Sequence, residues 1–221
     1  MITLAIDAST YAGDVAVLDG SSILAEDTVA MRDVERERLM PAVAASLARA
    51  GVRVRDIRRL VCGAGPGSFT SLRIAGAIAK GVATGVGCPV FAVSSMALSL
   101  GGVQLTEGRY LVAVDALRDE FYVGLFRIDC IGSIFEVERV RLVAAADVQE
   151  LAVTFEARVV SPSPLIGATT APPRARAVAR LERTLQESGP VSLASWEPSY
   201  GRLAEAQVRW EAAHRRTLPS T

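Results

Sequence analysis

Asparagine is absent from this chain of 221 residues, and histidine, lysine and cysteine are nearly so. The one histidine is His214, so a Ser-His-Asp or Cys-His site would have to rest on it, and a multi-histidine metal site is impossible. It sits in the charged run Glu211-Ala-Ala-His214-Arg215-Arg216, which reads as the surface of a helix. Cys62, Cys88 and Cys130 are too few and too far apart for a disulfide framework or a Cys-x-x-Cys zinc site. Each lies in an apolar stretch, as a small buried hydrophobe does. Lys80 is the sole lysine and the remaining basic residues are arginine, a bias of genome composition rather than of function. Lys+Arg and Asp+Glu each total 24, so the basic excess of a sequence-independent nucleic-acid binder or a membrane-surface protein is missing. No apolar run approaches the ~20 residues of a membrane span. Met1-Ile2-Thr3-Leu4 runs into a strand pattern without the charged start of a signal peptide. These features predict a soluble, cytoplasmic protein with no metal site and no cofactor.

What is present is a large apolar fraction, 50% of residues, in a chain long enough to bury roughly 70% of its unfolded surface. Residues 2–7 form a short apolar run ending in Asp7, with Ser9-Thr10-Tyr11-Ala12-Gly13 as a turn. Strands over 14–18 and 22–29 flank the tight turn Asp19-Gly20. The charged stretch 32–38 leads into a helix whose apolar Leu39, Val43 and Leu47 step by four, with Met40 and Ala44 beside them and Gly51 closing it. Pro41 places that helix's start close by, because an interior proline would cost ~3 kcal/mol. A strand over 59–63 breaks into Gly63-Ala-Gly-Pro-Gly67, a second helix covers 68–85, a strand 90–93 and a short helix 95–100. Antiparallel strands followed by helix-linked strands describe a mixed sheet with helices on its faces.

The polar stretch from Gly101 to Gly108 marks a boundary, dividing the chain into 1–100 and 101–221. The second unit repeats the theme, with strands over 110–115, 120–127 and 135–141, a short helix over 146–151 and a strand stub at Val159-Val160. Pro172 or Pro173 opens a helix carrying Ala175, Val178, Leu181 and Leu185, and 203–216 is a last charged helix. The pattern is that of a duplicated α/β fold whose second copy is smaller and degraded.

The densest chemical signal is Gly63-Ala-Gly-Pro-Gly-Ser-Phe-Thr-Ser-Leu-Arg73. A glycine-rich turn opening a helix can offer backbone N–H groups to a phosphate. This one lacks the Lys-Ser/Thr of a Walker loop, has Ser68 in place of the third glycine of a dinucleotide fingerprint, and contains Pro66, which donates nothing. The competing reading is a tight strand-to-helix turn, with Ser68 as N-cap and Phe69 anchoring the helix to the sheet. Along that helix Ser71, Ala75, Ala79 and Ala83 form a small-residue stripe, suited to core packing or to a partner helix. Asp7 and Asp115 each end a strand before a hairpin, and two carboxylates facing one cleft would hold a hydrated magnesium and a nucleotide phosphate. The turn after Asp115, Ala-Leu-Arg-Asp119, has no glycine and bulky side chains, which makes the pair a poor nucleotide clamp.

Ile2-Thr-Leu-Ala-Ile-Asp7-Ala-Ser-Thr10, Gly65-Pro66-Gly67-Ser68-Phe69-Thr70-Ser71-Leu72-Arg73-Ile74, Val114-Asp115-Ala-Leu-Arg-Asp-Glu120-Phe-Tyr122 and Glu197-Pro-Ser-Tyr200 fall in an order and spacing that resembles the TsaB (YeaZ) family of tRNA threonylcarbamoyladenosine biosynthesis. The resemblance spans the chain, strongest over 1–125 and loose over 126–195. It implies an actin/hexokinase-like (ASKHA) fold of two ribonuclease-H-like lobes. It further implies a non-catalytic scaffold that pairs with a TsaD-like paralogue, with a TsaE-like ATPase and, through the complex, tRNA as further partners, and a possible homodimer when alone. In that family the partner-docking helices belong to the first lobe. They map here onto 32–50 and 68–83, giving Leu39, Val43, Leu47, Ser71, Ile74, Ala75 and Ile78 as expected docking residues. Two positions depart from the family pattern: Ser71 replaces a usual glycine, and Glu35 a common histidine.

Two other functions stay open on residues alone. One is a small ASKHA-type phosphotransferase or ATPase using Asp7 and Asp115. The other, a glycoprotease-like peptidase, lacks a nucleophile–base pair or a metal. If the docking assignment holds, Val43→Glu or Ala75→Arg abolishes partner binding in a chain that stays folded; if they unfold it, the face is misplaced.

Overall fold

The computed structural model describes residues 1–32, 36–101 and 106–200. The expected helix at 203–216, with His214, Arg209, Arg215 and Arg216, and the substitution at Glu35 lie outside the described residues. Strands β1 (Ile2–Asp7), β2 (Ala12–Asp19) and β3 (Ser22–Ala30) form an antiparallel meander. Helix α1 (Leu39–Arg49) crosses to β4 (Arg59–Gly63), and α2 (Phe69–Val86) crosses to β5 (Val90–Val93), so β4 and β5 add in parallel beside β1. After α3 (Ser95–Gly101) the pattern restarts with β6 (Gly108–Asp115), β7 (Glu120–Ile128), β8 (Ile134–Ala144), α4 (Asp147–Thr154), β9 (Arg158–Ser161) and β10 (Ala168–Thr170). The two five-stranded sheets run β3-β2-β1-β4-β5 and β8-β7-β6-β9-β10, one order used twice. The degradation of the second copy is specific. Parallel strands normally need a crossover of a dozen or more residues, and α2 provides one in the first lobe. In the second, the loop 162–167 alone joins β9 to β10.

Burial explains why these residues form these elements. Along β1 every residue from Thr3 to Asp7 is buried, as is β2 from Gly13 to Leu18, so both strands are covered on both faces and read as continuous apolar runs. The outer face of the first sheet packs Leu4, Ile6, Val15 and Val17 against α1 and α2. Its inner face joins Ala5, Ala16 and Val61 to Tyr110, Val112 and Phe126 of the second sheet, through α3, in one continuous core. A third cluster packs Leu111, Ala113 and Val123 under α4.

The helices place the expected docking residues. On α1 the Leu39, Val43 and Leu47 stripe is buried against the first sheet. Pro41 stands in the first turn, where it removes no intrahelical bond, and Glu37 accepts the otherwise orphaned N–H groups of Leu39 and Met40. On α2 the Ser71, Ala75, Ala79 and Ala83 stripe faces the chain's own sheet, which explains its small residues: the helix lies close to the strands. Five of the seven expected docking residues, Leu39, Val43, Leu47, Ser71 and Ala75, are therefore core and out of a partner's reach. Ile74 and Ile78 are half-buried at the edge of α2. Helical periodicity marks the side chains that cluster, and here the cluster is internal.

The expected helix beyond Pro173 is two pieces, a 3-10 turn at Ala175–Arg180 and α5 (Glu182–Ser188), broken at Leu181. Its four apolar residues Ala175, Val178, Leu181 and Leu185 are all buried, as the spacing predicted. Among the described residues no helix is long and apolar enough to cross a membrane.

Burial of Val43 at 1% exposure makes Val43→Glu a stability variant, not a docking variant. It strands a charge in the core and is expected to leave the chain unfolded. Leu47→Ala, also buried, is expected to cost about 2–5 kcal/mol, read as a lowered urea midpoint with an unchanged slope.

Candidate functional site

The carboxyl ends of β1 and β6 point into a cleft of about 1140 Å³ between the lobes. The first lobe lines it with Ser9, Thr10 and Tyr11 of the β1–β2 turn and with Gly67, Ser68 and Phe69. The second lobe adds Asp115, Ala116, Leu117 and Arg118 of the β6–β7 turn, and Tyr200 closes one side. Apolar and aromatic side chains dominate it.

Asp7 does not line this cleft. It is 1% exposed, and both its oxygens are taken by the chain itself. Ser95 Oγ donates to Oδ1 at 2.6 Å, while the Ser9 amide and Ser9 Oγ donate to Oδ2 at 2.9 and 2.8 Å. Burial raises the Asp7 pKa above its ordinary value, and these hydrogen bonds oppose the rise in part. Ser95 in turn accepts the Gly65 amide at 2.9 Å. Asp7 thus ties the end of β1, the start of α3 and the glycine-rich loop into one network.

That loop is a packing device. Its alternating glycines mark three contacts where a side chain would collide. A Cβ on Gly63 would lie 1.8 Å from Asp7 Oδ1, one on Gly65 2.3 Å from the Ser199 carbonyl oxygen, and one on Gly67 2.0 Å from that of Ser9. Gly65 also has φ of +90°, open to glycine at no steric cost. The amides of Ala64, Gly65 and Ser68 are consumed by Val93 O, Ser95 Oγ and Ser9 O. The tight strand-to-helix turn is the reading the structure bears out, with two amendments. Ser68 occupies the N-cap position but makes no capping bond, its Oγ pairing with Ser71 Oγ at 3.0 Å. Phe69 meets the Tyr200 ring at 4.5 Å, with the Arg73 guanidinium 5.2 Å over the Phe69 ring, while Thr70 is exposed.

The carboxyl-terminal motif completes this arrangement. Ser199 donates its amide to Ala64 O at 2.7 Å, Pro198 and Trp196 cover Gly76, and Trp196 lies under Lys80. Residues 190–200 form a strap over α2, so Gly65-Pro66-Gly67-Ser68-Phe69-Thr70 and Glu197-Pro-Ser-Tyr200 are two halves of one contact. The sequence reading missed Ser95, Trp196 and this pairing. The every-second-residue glycine spacing was the available signal, since it implies repeated close backbone approach.

In the second lobe Asp115 is exposed in the cleft, its Oδ1 accepting the Leu117 amide at 2.7 Å. Leu117, Arg118 and Asp119 all have φ near +60°, a left-handed run that side chains disfavour. It places Leu117, 63% exposed, at the cleft wall. Asp7 and Asp115 do not form a facing pair. Among the described residues no group of three or more potential metal ligands is present.

A sheet order used twice, with the equivalent strand ends facing one cleft, places the chain in the actin/hexokinase-like class of two-lobed α/β proteins. A family model described as TsaD, tRNA N6-adenosine threonylcarbamoyltransferase, matches residues 29–133. TsaB of Bacillus subtilis is 32% identical over 127 residues and TsaB of Escherichia coli 35% over 131, each alignment covering 58% of this chain and 56% of the relative. The matched region is thus little more than half the length of those curated relatives. The solved structure of YeaZ from Pseudomonas aeruginosa superposes with a TM-score of 0.75 at 25% identity, over 90% of this chain and 99% of that one. In sequence over the matched region, and in fold over nearly its whole length, the chain is similar to TsaB and YeaZ proteins.

Gly65→Ala is expected to dislodge the strap. In a Trp210→Phe background this is read as a red shift of Trp196 emission, with far-UV circular dichroism retained. The raised Asp7 pKa has a pH signature of definite sign. As pH rises through 3.8 the unfolded chain ionises first, so stability relative to Asp7→Asn falls until the raised native value is passed, then levels off. Urea titrations of both proteins from acid to neutral pH measure that difference.

Proposed function

We propose that this chain is a non-catalytic subunit in the biosynthesis of tRNA threonylcarbamoyladenosine, pairing with a TsaD-like paralogue that carries the chemistry. The names of its curated relatives support the process, since both are described as tRNA threonylcarbamoyladenosine biosynthesis proteins. The observation that carries the non-catalytic reading is the sealing of Asp7: it is buried, does not line the cleft, and spends three acceptor sites on Ser9 and Ser95 where an open cleft would leave them for a hydrated metal. Internal bonding also takes the amides of Ala64, Gly65 and Ser68 in the glycine-rich loop.

The docking surface is the outer face of the first-lobe helices, moved from the residues that periodicity selected to those beside them. On α1 it exposes Met40, Ala44, Ala45 and Ala48, and on α2 Arg73, Ala77, Gly81 and Thr84, with Ile74 and Ile78 at its margin. Small side chains let a partner helix approach closely with little side-chain ordering cost. A Cβ at Gly81 would meet nothing within 4 Å, so a larger residue fits the isolated chain there. A TsaE-like ATPase and tRNA are partners of the assembled complex in this reading, and self-association through the same face is its form without a TsaD-like partner.

Reconstitution with TsaC, TsaD, TsaE, tRNA, threonine, bicarbonate and ATP, with and without this chain, tests the reading. Modified adenosine is expected to require the chain, to survive Asp115→Ala, and to fall at least tenfold with Gly81→Arg or Ala77→Arg while the variants keep the native Tm. Product formed equally without the chain overturns the proposal. Loss of product with Asp115→Ala in a folded protein instead favours phosphotransfer chemistry in the cleft.

A further inference from the structure

The segment after β10 belongs to the second lobe by sequence and to the first by its bonds. Arg174 Nη1 donates to Asp14 Oδ2 at 2.9 Å and to Thr28 Oγ1 at 2.6 Å, Thr28 Oγ1 donates to the same Asp14 oxygen at 2.7 Å, and the Ala175 amide donates to Asp14 Oδ1 at 2.7 Å. Asp14, on β2, is only 3% exposed. Further along, Glu182 pairs with Arg59 of β4 at 2.9 Å, and Arg59, itself 6% exposed, donates to Thr3 Oγ1 at 3.1 Å. The same segment is fastened to the second lobe. Arg180 Nε donates to Gly132 O at 2.7 Å, and Thr184 Oγ1 to Ile134 O at 3.0 Å, both at the β7–β8 turn. Between these ties the 3-10 turn lies hard against α3: a Cβ on Gly101 would fall 2.2 Å from the Ala177 Cβ.

We propose that residues 174–185 are a cross-brace that makes the two lobes one rigid body, so that the cleft stands at a fixed width instead of closing on a ligand. A hinge rotation would have to withdraw Asp14 from Arg174 and the Ala175 amide, leaving a buried carboxylate with Thr28 alone, or drive Gly101 into Ala177. Close-packed interiors switch between discrete arrangements and do not deform continuously. This inference concerns the chain's own mechanics and stands whether or not a TsaD-like partner is found.

Nitroxide labels on Cys130, the exposed cysteine of the second lobe, and on a cysteine replacing Ser21 in the exposed β2–β3 turn report the distance between lobes, with buried Cys62 and Cys88 left unmodified. Pulsed electron spin resonance on the full chain is expected to give one narrow distribution, unchanged by millimolar Mg-ATP. Asp14→Asn, and separately Arg174→Gln, are expected to broaden it or split it in two. Two populations in the braced chain, or a shift on adding Mg-ATP, overturns the proposal. So does a distribution that stays narrow in the variants while their circular dichroism is native. Should Asp14→Asn fail to fold, Arg174→Gln, whose side chain is partly exposed, decides the question alone.

Discussion

A carboxylate with no water around it holds the centre of this molecule together. Asp7 ends the central strand of the first sheet, and burying it would be prohibitive without donors. Ser9 supplies two and Ser95 a third. That requirement propagates outward. Ser95 must start α3 where it can reach Asp7, Gly63 must lack a side chain because Asp7 fills its space, and Gly65 must turn left-handed to give its amide to Ser95. The strap from residue 190 onward then closes over the loop because Gly65 leaves room for the Ser199 carbonyl. A position that would suit a metal-binding acid in an open cleft has become the keystone of a packed junction.

The second lobe also fills the equivalent turn with side chains. The hairpin after Asp115 has the topological place of the first-lobe turn, yet its three left-handed residues carry bulky side chains, and Leu117 lines the cleft wall with apolar surface. The loss of the crossover helix between β9 and β10 removes a layer from that lobe, and the loop 162–167 brings Pro162 and Ser163 to the cleft instead. Segment 174–185 binds the reduced lobe to the complete one. The product is a two-lobed frame with one continuous core between its sheets and a helical outer face on the first lobe.

Much of the fold was legible because its local signals agree with its tertiary structure. Strand positions, the Asp19-Gly20 turn and the start of α1 near Pro41 all rest on short-range rules of turn geometry and apolar run length. The repeated strand pattern of the second half was equally visible. The missing crossover helix was not, since an apolar stub such as Val159-Val160 carries no mark of how it connects onward. The break at Leu181 was hidden for a related reason: the apolar spacing continues through it, and backbone geometry interrupts what the pattern joins.

For the site the division is sharper. Residue types alone determined that no multi-histidine metal centre could exist, and they left Gly63 to Gly67 as either a phosphate-cradling loop or a tight strand-to-helix turn. They also carried the four motifs that resemble those of the TsaB/YeaZ family. Tertiary structure alone decided what crowds each glycine, that Asp7 is sealed while Asp115 is open, and that Leu39, Val43 and Leu47 face inward. The physical reason is common to all three. A sequence pattern records which side chains avoid water together, and only the packed chain shows whether the surface that shields them is its own or another protein's.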